Sequence, residues 1–136
     1  MRITRIFLIV FSLVTGLVLL PKLPNLIPMH WNITGKVDGY MSKNLAIIFM
    51  PWISLCIFIL FQILPNFDPK KENYRFFQKE WEIIQTTLIG FFTWLHLVIL
   101  YISLNPGTTI FVPMFLGLGL MFIVLGNYLS KIRQNY

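Results

Sequence analysis

Four apolar segments dominate the chain and limit what it can fold into. Ile6 to Leu20, Leu45 to Leu64, Ile83 to Leu104 and Thr108 to Leu129 contain no Asp, Glu, Lys or Arg. The last three reach the roughly 20 residues that an α-helix needs to cross a hydrocarbon core of about 30 Å. The first gives only about 22 Å of helix at 1.5 Å per residue, so its span must extend back to Ile3, with Arg5 and Lys22 snorkelling to the interfaces. A basic start before a short apolar run also resembles a cleaved signal. No small-x-small cleavage motif follows it, and PKLPNLIP does, so the segment reads as a retained helix. At 57% hydrophobic and 12% charged residues, against about 45–50% and about 25% in soluble domains, too little polar surface exists to cover a water-soluble globule. The single cysteine, Cys56, lies inside an apolar run and excludes a disulfide scaffold. The expected fold class is all-α: a polytopic membrane protein with four transmembrane helices.

Charge placement orients those helices. Arg2, Arg5, Lys70, Lys71, Arg75, Lys79, Lys131 and Arg133 fall on one side, eight basic residues against three (Lys22, Lys36 and Lys43) on the other. The positive-inside bias predicts an N-in/C-in arrangement, with an ordered external loop between helices 1 and 2. The uncharged Asn105-Pro106-Gly107 link is then a tight external turn that makes the third and fourth spans an antiparallel hairpin. Pro51 removes a backbone bond within the second span and is expected to bend it unless a neighbour compensates. Gly119 and Gly126, seven residues apart on one face of the fourth, are expected to mark close packing.

The external loop from Pro21 to Lys43 is the most specific stretch. Pro21, Pro24 and Pro28 favour an extended path along the membrane face. Gly35 and Asp38-Gly39 supply turns, and Trp31 and Tyr40 suit headgroup depth. His30, Asn32 and Asp38 form a candidate polar cluster able to coordinate a cation or grip a peptide. One histidine and one carboxylate eight apart match no zinc spacing, so no metal or cofactor is expected, and loop closure is the plainer role. Asn32 also opens an Asn-Ile-Thr sequon, relevant only in a eukaryotic host. In the internal loop, Asp68-Pro69 reads as a turn, Pro65 as preceding it, and Lys70 to Glu82 as an interfacial helix leading into the third span. Lys70, Lys71 and Arg75 could there meet anionic lipid; a platform for a cytoplasmic partner is the sharper alternative. Basic and stacking residues do not interleave as a nucleic-acid surface requires.

His96 is the only imidazole within a span, and an intramembrane ionisable group is a functional candidate by default. The structural alternative is a neutral ring hydrogen-bonded across the bundle to Ser54, Gln62 or Thr93. Glu82 lies over about 20 Å away along one straight helix, beyond contact. No nucleophile with a base at usable spacing, phosphate loop, carboxylate pair or Cys-x-x-Cys occurs, so the chain is not expected to be an enzyme.

At LPNLIPMHWNITGKVDGYMSK, Leu23 to Lys43, the chain resembles the first part, DUF1648, of SdpI-like bacterial membrane proteins. Pro24, Pro28, His30, Asn32, Gly35, Asp38, Gly39, Tyr40, Ser42 and Lys43 carry the resemblance, with Pro51, Pro65 and Asp68-Pro69 farther on. The ending GNYLSKIRQNY, Gly126 to Tyr136, is similar to the opening of the second, SdpI-proper part. The resemblance implies a DUF1648-like membrane region over residues 1–104 (helices 1–3). It makes residues 105–136 the fourth helix and the start of an SdpI-like segment, not an independent domain. It also implies a multi-pass address in a bacterial cytoplasmic membrane and, for some members, immunity to a secreted killing peptide coupled to a cytoplasmic repressor. Relatives continue past the point where this chain stops, so a minimal or shortened version is expected. The expected function is a non-enzymatic membrane protein of immunity or envelope-signalling type. Its contact face is loop 21–43, with His30, Asn32, Gly35, Asp38, Gly39 and Lys43 as functional or structural residues. The lipid bilayer, a secreted peptide, a cytoplasmic regulator and a second copy are its candidate partners, and nucleic acid is not. A small transport module using His96, or a structural remnant packing with other membrane subunits, are the alternatives.

Overall fold

The computed structural model describes residues 1–132; Arg133 and the rest of the terminal segment lie outside them. Helix α1 (Arg2–Leu19) runs into a short 3-10 turn, Leu20–Lys22. Strands β1 (Leu26–Trp31) and β2 (Val37–Ser42) follow, then α2 (Lys43–Phe67), a second 3-10 turn (Lys71–Phe76), α3 (Gln78–Leu104) and α4 (Phe111–Leu129). All four α-helices are long and apolar enough to cross a membrane. With the 3-10 turn included, the first span reaches 21 residues. Helix α3 starts five residues before the uncharged segment does, taking Lys79, Glu80 and Glu82 into its first turns, where they stand at the end of the bundle.

The chain is mostly helical, but the all-α expectation requires correction, because the loop between α1 and α2 is a two-stranded antiparallel hairpin. Leu26 pairs with Ser42, Ile27 with Met41, Pro28 with Tyr40, His30 with Gly39 and Trp31 with Val37, with irregular register on either side of His30. The prolines keep the entering strand extended, and a proline is tolerated in it because a two-stranded ribbon has only edges. Ile27 is fully buried and seats the hairpin on a core that includes Leu23, Ala46, Ile47, Ile99 and Leu100. The hairpin therefore plugs one end of the bundle.

Two other expectations change. The interfacial helix over Lys70 to Glu82 is a 3-10 turn that ends where Phe77, at φ −131°, inserts its ring into the interior; only then does α3 begin. Pro65 stands before the loop between α2 and α3 as expected, but within the last turn of α2, which includes both it and Pro51 and carries on to Phe67, so that loop starts at Asp68 and not at Pro65. The turn from Asn105 closes with Thr108 N–H donating to the Asn105 carbonyl at 3.3 Å. Pro106 holds its second position and Gly107, at φ +95°, its third, the residue order a type II turn favours.

Helix α3 packs against α1, α2 and α4, whereas none of the residues of α4 is buried. The expected close packing at Gly119 and Gly126 does not occur, since a Cβ at either would meet nothing within 4 Å. They share a face, but residue 119 is rotated about 200° from 117, and Gly117 is the one that meets α3. A Cβ there would lie 2.5 Å from the Trp94 ring, whose Nε1–H donates to the Pro113 carbonyl at 2.9 Å. Replacing Gly117 by leucine should unseat the indole and lower stability by about 1–3 kcal/mol, the usual cost of overpacking. Thermal unfolding in detergent with Trp emission reads the change, and Gly119→Leu should leave both signals at wild-type values.

Candidate functional site

At the hairpin end, strand pairing brings His30 and Asp38 together: Nδ1 and Oδ1 are 2.5 Å apart, with the imidazole largely exposed. Gly39 makes this possible. A Cβ there would stand 2.8 Å from the Cβ of His30, so the imidazole lies across the strand only because its neighbour lacks a side chain. Asn32 is occupied differently. Its Oδ1 accepts from Thr34 N–H (3.0 Å), Thr34 Oγ1–H (2.7 Å) and Lys36 N–H (3.0 Å), which closes the hairpin tip. Gly35, at φ +82°, completes that turn, and the Phe111 ring would be 2.8 Å from a Cβ placed on it. The tip is thus pinned to the start of α4. Lys43 sits at the base, its N–H donating to Asn25 at 3.0 Å and its Nζ to the Leu23 carbonyl at 3.4 Å. Of the six loop residues read from the sequence, His30, Asp38 and Gly39 form one group, Asn32 and Gly35 the tip, and Lys43 the base. A cavity of about 430 Å³ between the hairpin and the α3–α4 turn is lined by Pro28, Trp31, Tyr40, Ser103, Pro106 and Thr109, among others.

Within the bundle, His96 is 1% exposed, and its ring finds no side-chain hydrogen-bond partner among the described residues; the polar group it faces is the Ser12 backbone on α1. The expected bond to Ser54, Gln62 or Thr93 is absent. Gln62 donates instead to Gln85 at 3.3 Å, Thr93 Oγ1–H to the Leu8 carbonyl at 3.5 Å, and the Ser54 hydroxyl, like that of Ser12, has no partner. The ring faces α1, where a Cβ on Gly16 would come within 3.1 Å of Nε2 and 3.0 Å of the Ile47 Cβ. Gly16 thereby gives the histidine its space, a role that an isolated glycine in an apolar run did not announce.

The opposite end holds the residues that sequence reasoning missed. Arg5 was expected to snorkel; it is 2% exposed. Its Nη1–H donates to Gln85 Oε1 at 2.9 Å, and its Nη2 is 4.0 Å from a Glu82 oxygen. A guanidinium offered two acceptors one turn apart on α3 can engage its two terminal nitrogens by turning inward, which snorkelling would leave to water. The signal in the sequence was Gln85, an amide just inside an apolar segment and three residues after a carboxylate. Above this group Tyr74 packs on Phe77 and edge-on to Trp81, which meets Phe61 at 4.8 Å. Burial pushes the Tyr74 phenol above its ordinary range, with the charge and hydrogen bond of Asp68 adding to the shift. No group of three or more His, Cys, Asp or Glu side chains able to hold a metal occurs among the described residues.

Residues 7–55, from α1 through the hairpin into α2, match the family model described as Domain of unknown function (DUF1648). The chain carries an N-terminal DUF1648 domain. It is also 27% identical, over 135 residues and 99% of its length, to Immunity protein SdpI of Bacillus subtilis (strain 168), of which the match covers 62%. The chain thus spans less than two thirds of the length of the curated relative it matches. No solved structure matches it. Four membrane-length helices together with this homology make it a multi-pass bacterial membrane protein. His96, Gln85 and Arg5 lie outside the matched domain.

Gln85 ties together the end of the bundle opposite the hairpin, accepting from Arg5 and Gln62 at once. Gln85→Leu should leave the buried Arg5 donor, along with the more exposed Gln62 amide, without an acceptor and lower stability by about 1–3 kcal/mol, whereas Gln85→Glu, which retains the acceptor oxygens, should hold. Equal unfolding midpoints for the leucine variant and the wild type would show that the amide contributes nothing.

Proposed function

We propose that the chain is a non-enzymatic integral membrane protein of immunity or envelope-signalling type, with the hairpin Leu26–Ser42 as its outward contact for a secreted peptide or signal. The observation that carries this reading is similarity to an immunity protein along 99% of the chain. The charge asymmetry, eight basic residues against three, supports an N-in/C-in orientation that puts the hairpin outside. The physical features of the hairpin suit such a role. A two-stranded ribbon has open edges whose backbone donors and acceptors can receive an extended peptide. The cavity beside Trp31 and Tyr40 offers aromatic walls to an apolar side chain, and the exposed His30–Asp38 pair, outside the cavity lining, supplies a separate polar contact on the same hairpin. A signal received there would reach the bundle through Ile27, which is buried in the core, and through Phe111 at the head of α4. A cytoplasmic regulator would meet the other end, at Lys70 to Glu82.

Protection of a sensitive bacterium against a killing peptide tests the reading. His30→Ala and Asp38→Ala should each reduce the tolerated peptide concentration by about tenfold, the equivalent of about 1.4 kcal/mol of lost contact, at unchanged abundance in the membrane. Full protection by both variants at normal abundance would remove the hairpin pair from the contact. The buried ring of His96, which has no side-chain partner among the described residues, with the unpartnered hydroxyls of Ser12 and Ser54 on the two adjoining helices, favours a second reading as a small permeation module. Under it, proteoliposomes should show a pH-dependent flux that His96→Leu abolishes; wild-type flux at the empty-vesicle level would end that reading.

A further inference from the structure

The end of the bundle opposite the hairpin opens a cleft of about 340 Å³ with an unusual floor. Arg5 lies at its base, 2% exposed, with its Nε–H unpartnered. The charge of Arg5 is incompletely balanced. Glu82 is the carboxylate that faces it, at 4.0 Å, and the same carboxylate is shared with the Met1 amino group at 3.9 Å. A second guanidinium, Arg75, stands on the exposed rim, 4.8 Å above the Phe76 ring. Lys79 and Glu80 line the adjoining depression and offset each other. Two cations of the cleft lining, Arg5 and Arg75, therefore face one carboxylate of that lining, Glu82, which a third cation already engages, while the Asp68 carboxylate is held by Tyr74 outside the lining.

Backbone dipoles add to this field. α1 begins at Arg2 and α3 at Gln78, so the N-terminal ends of two long helices converge here, against the C-terminal end of α2. The first N–H groups of a helix have no partner within it and attract negative charge. Gln62, Gln78 and Tyr74 place further polar groups on the walls, and Trp81 and Phe61 supply an apolar side. Since the four helices cross a membrane, the cleft stands where headgroups do.

We propose that this cleft binds a phosphoryl anion, supplied by the headgroup of an anionic phospholipid. Arginine pairs strongly with phosphate oxygens through its fixed donor fork, and the convergence of helix N-termini with a buried, under-balanced guanidinium is the kind of site where phosphate settles. The aromatic side would lie along the start of the acyl chains. Glu82 then holds Arg5 in place, and the bound phosphate completes the neutralisation that Glu82 begins.

Native mass spectrometry of the full chain released from nanodiscs tests this, with phosphatidylglycerol and phosphatidylcholine as competing lipids and inorganic phosphate as the free anion. The wild type should retain one phosphatidylglycerol in preference to phosphatidylcholine. Arg75→Gln, on the exposed rim, should weaken retention about tenfold, the scale of one charge-assisted hydrogen bond, at an unchanged thermal midpoint. Arg5→Gln should abolish retention and Arg5→Lys restore part of it; if the Arg5 variants do not fold, the Arg75 comparison decides. If no lipid is retained but inorganic phosphate raises the midpoint of the wild type and not of Arg75→Gln, the phosphoryl site stands with free phosphate as its source. Equal retention of the two lipids, or wild-type retention by Arg75→Gln, with no effect of inorganic phosphate, overturns the proposal.

Discussion

A polar group in a bilayer has to find its partner inside the protein, and α3 is where this chain meets that requirement. It carries Gln85, Thr93, His96 and Ser103 on buried positions, and 44% of its most apolar stretch is enclosed while none of that of α4 is. The other helices are arranged around those groups. Arg5 on α1 and Gln62 on α2 both bond to Gln85, Thr93 reaches the α1 backbone, and α4 rests on Trp94 through Gly117. The Arg5–Gln85 bond sets the register of α1 against α3 at one end, and the contact of Gly16 with His96 sets it again about 16 Å farther along.

The two ends of the bundle are built from different materials. One is sealed by a hairpin whose inner residue, Ile27, is as buried as any in the chain and whose outer residues, His30 and Asp38, face away from the bundle. The other is a cleft with a guanidinium floor under an aromatic cap formed by Phe61, Tyr74 and Trp81. A ligand on the hairpin and an anion in the cleft would act on the same three helices, because α1 and α3 run from one site to the other. The two ends of the bundle are thereby joined by continuous helices.

Much of this was legible in residue order. Hydrophobic runs and charge gaps located four helices, and prolines and turn residues identified an ordered segment between the first two, because each of those signals is local. What stayed hidden depended on tertiary partners. The sequence reading had the extended path of Leu26 to Trp31 but not its pairing with Val37 to Ser42, since register depends on the bundle surface that receives Ile27. Arg5 read as a topology charge because no local pattern says that Gln85, eighty residues on, will accept its hydrogen bond. Gly119 and Gly126 drew attention by their spacing, yet Gly117 carries the contact, as the side of α4 facing α3 is set by Trp94. Asn32 looked like a member of a binding cluster until its oxygen was seen to close the turn.

The account hangs on which end faces which compartment, and the chain's single cysteine makes that measurable. With Cys56 replaced by serine, Lys36→Cys at the hairpin tip and Glu72→Cys in the internal 3-10 turn can be exposed separately to a membrane-impermeant maleimide in intact cells. The account predicts labelling at position 36 before lysis and at position 72 only afterwards. The reverse pattern would place the hairpin inside the cell and contradict its role as an outward contact.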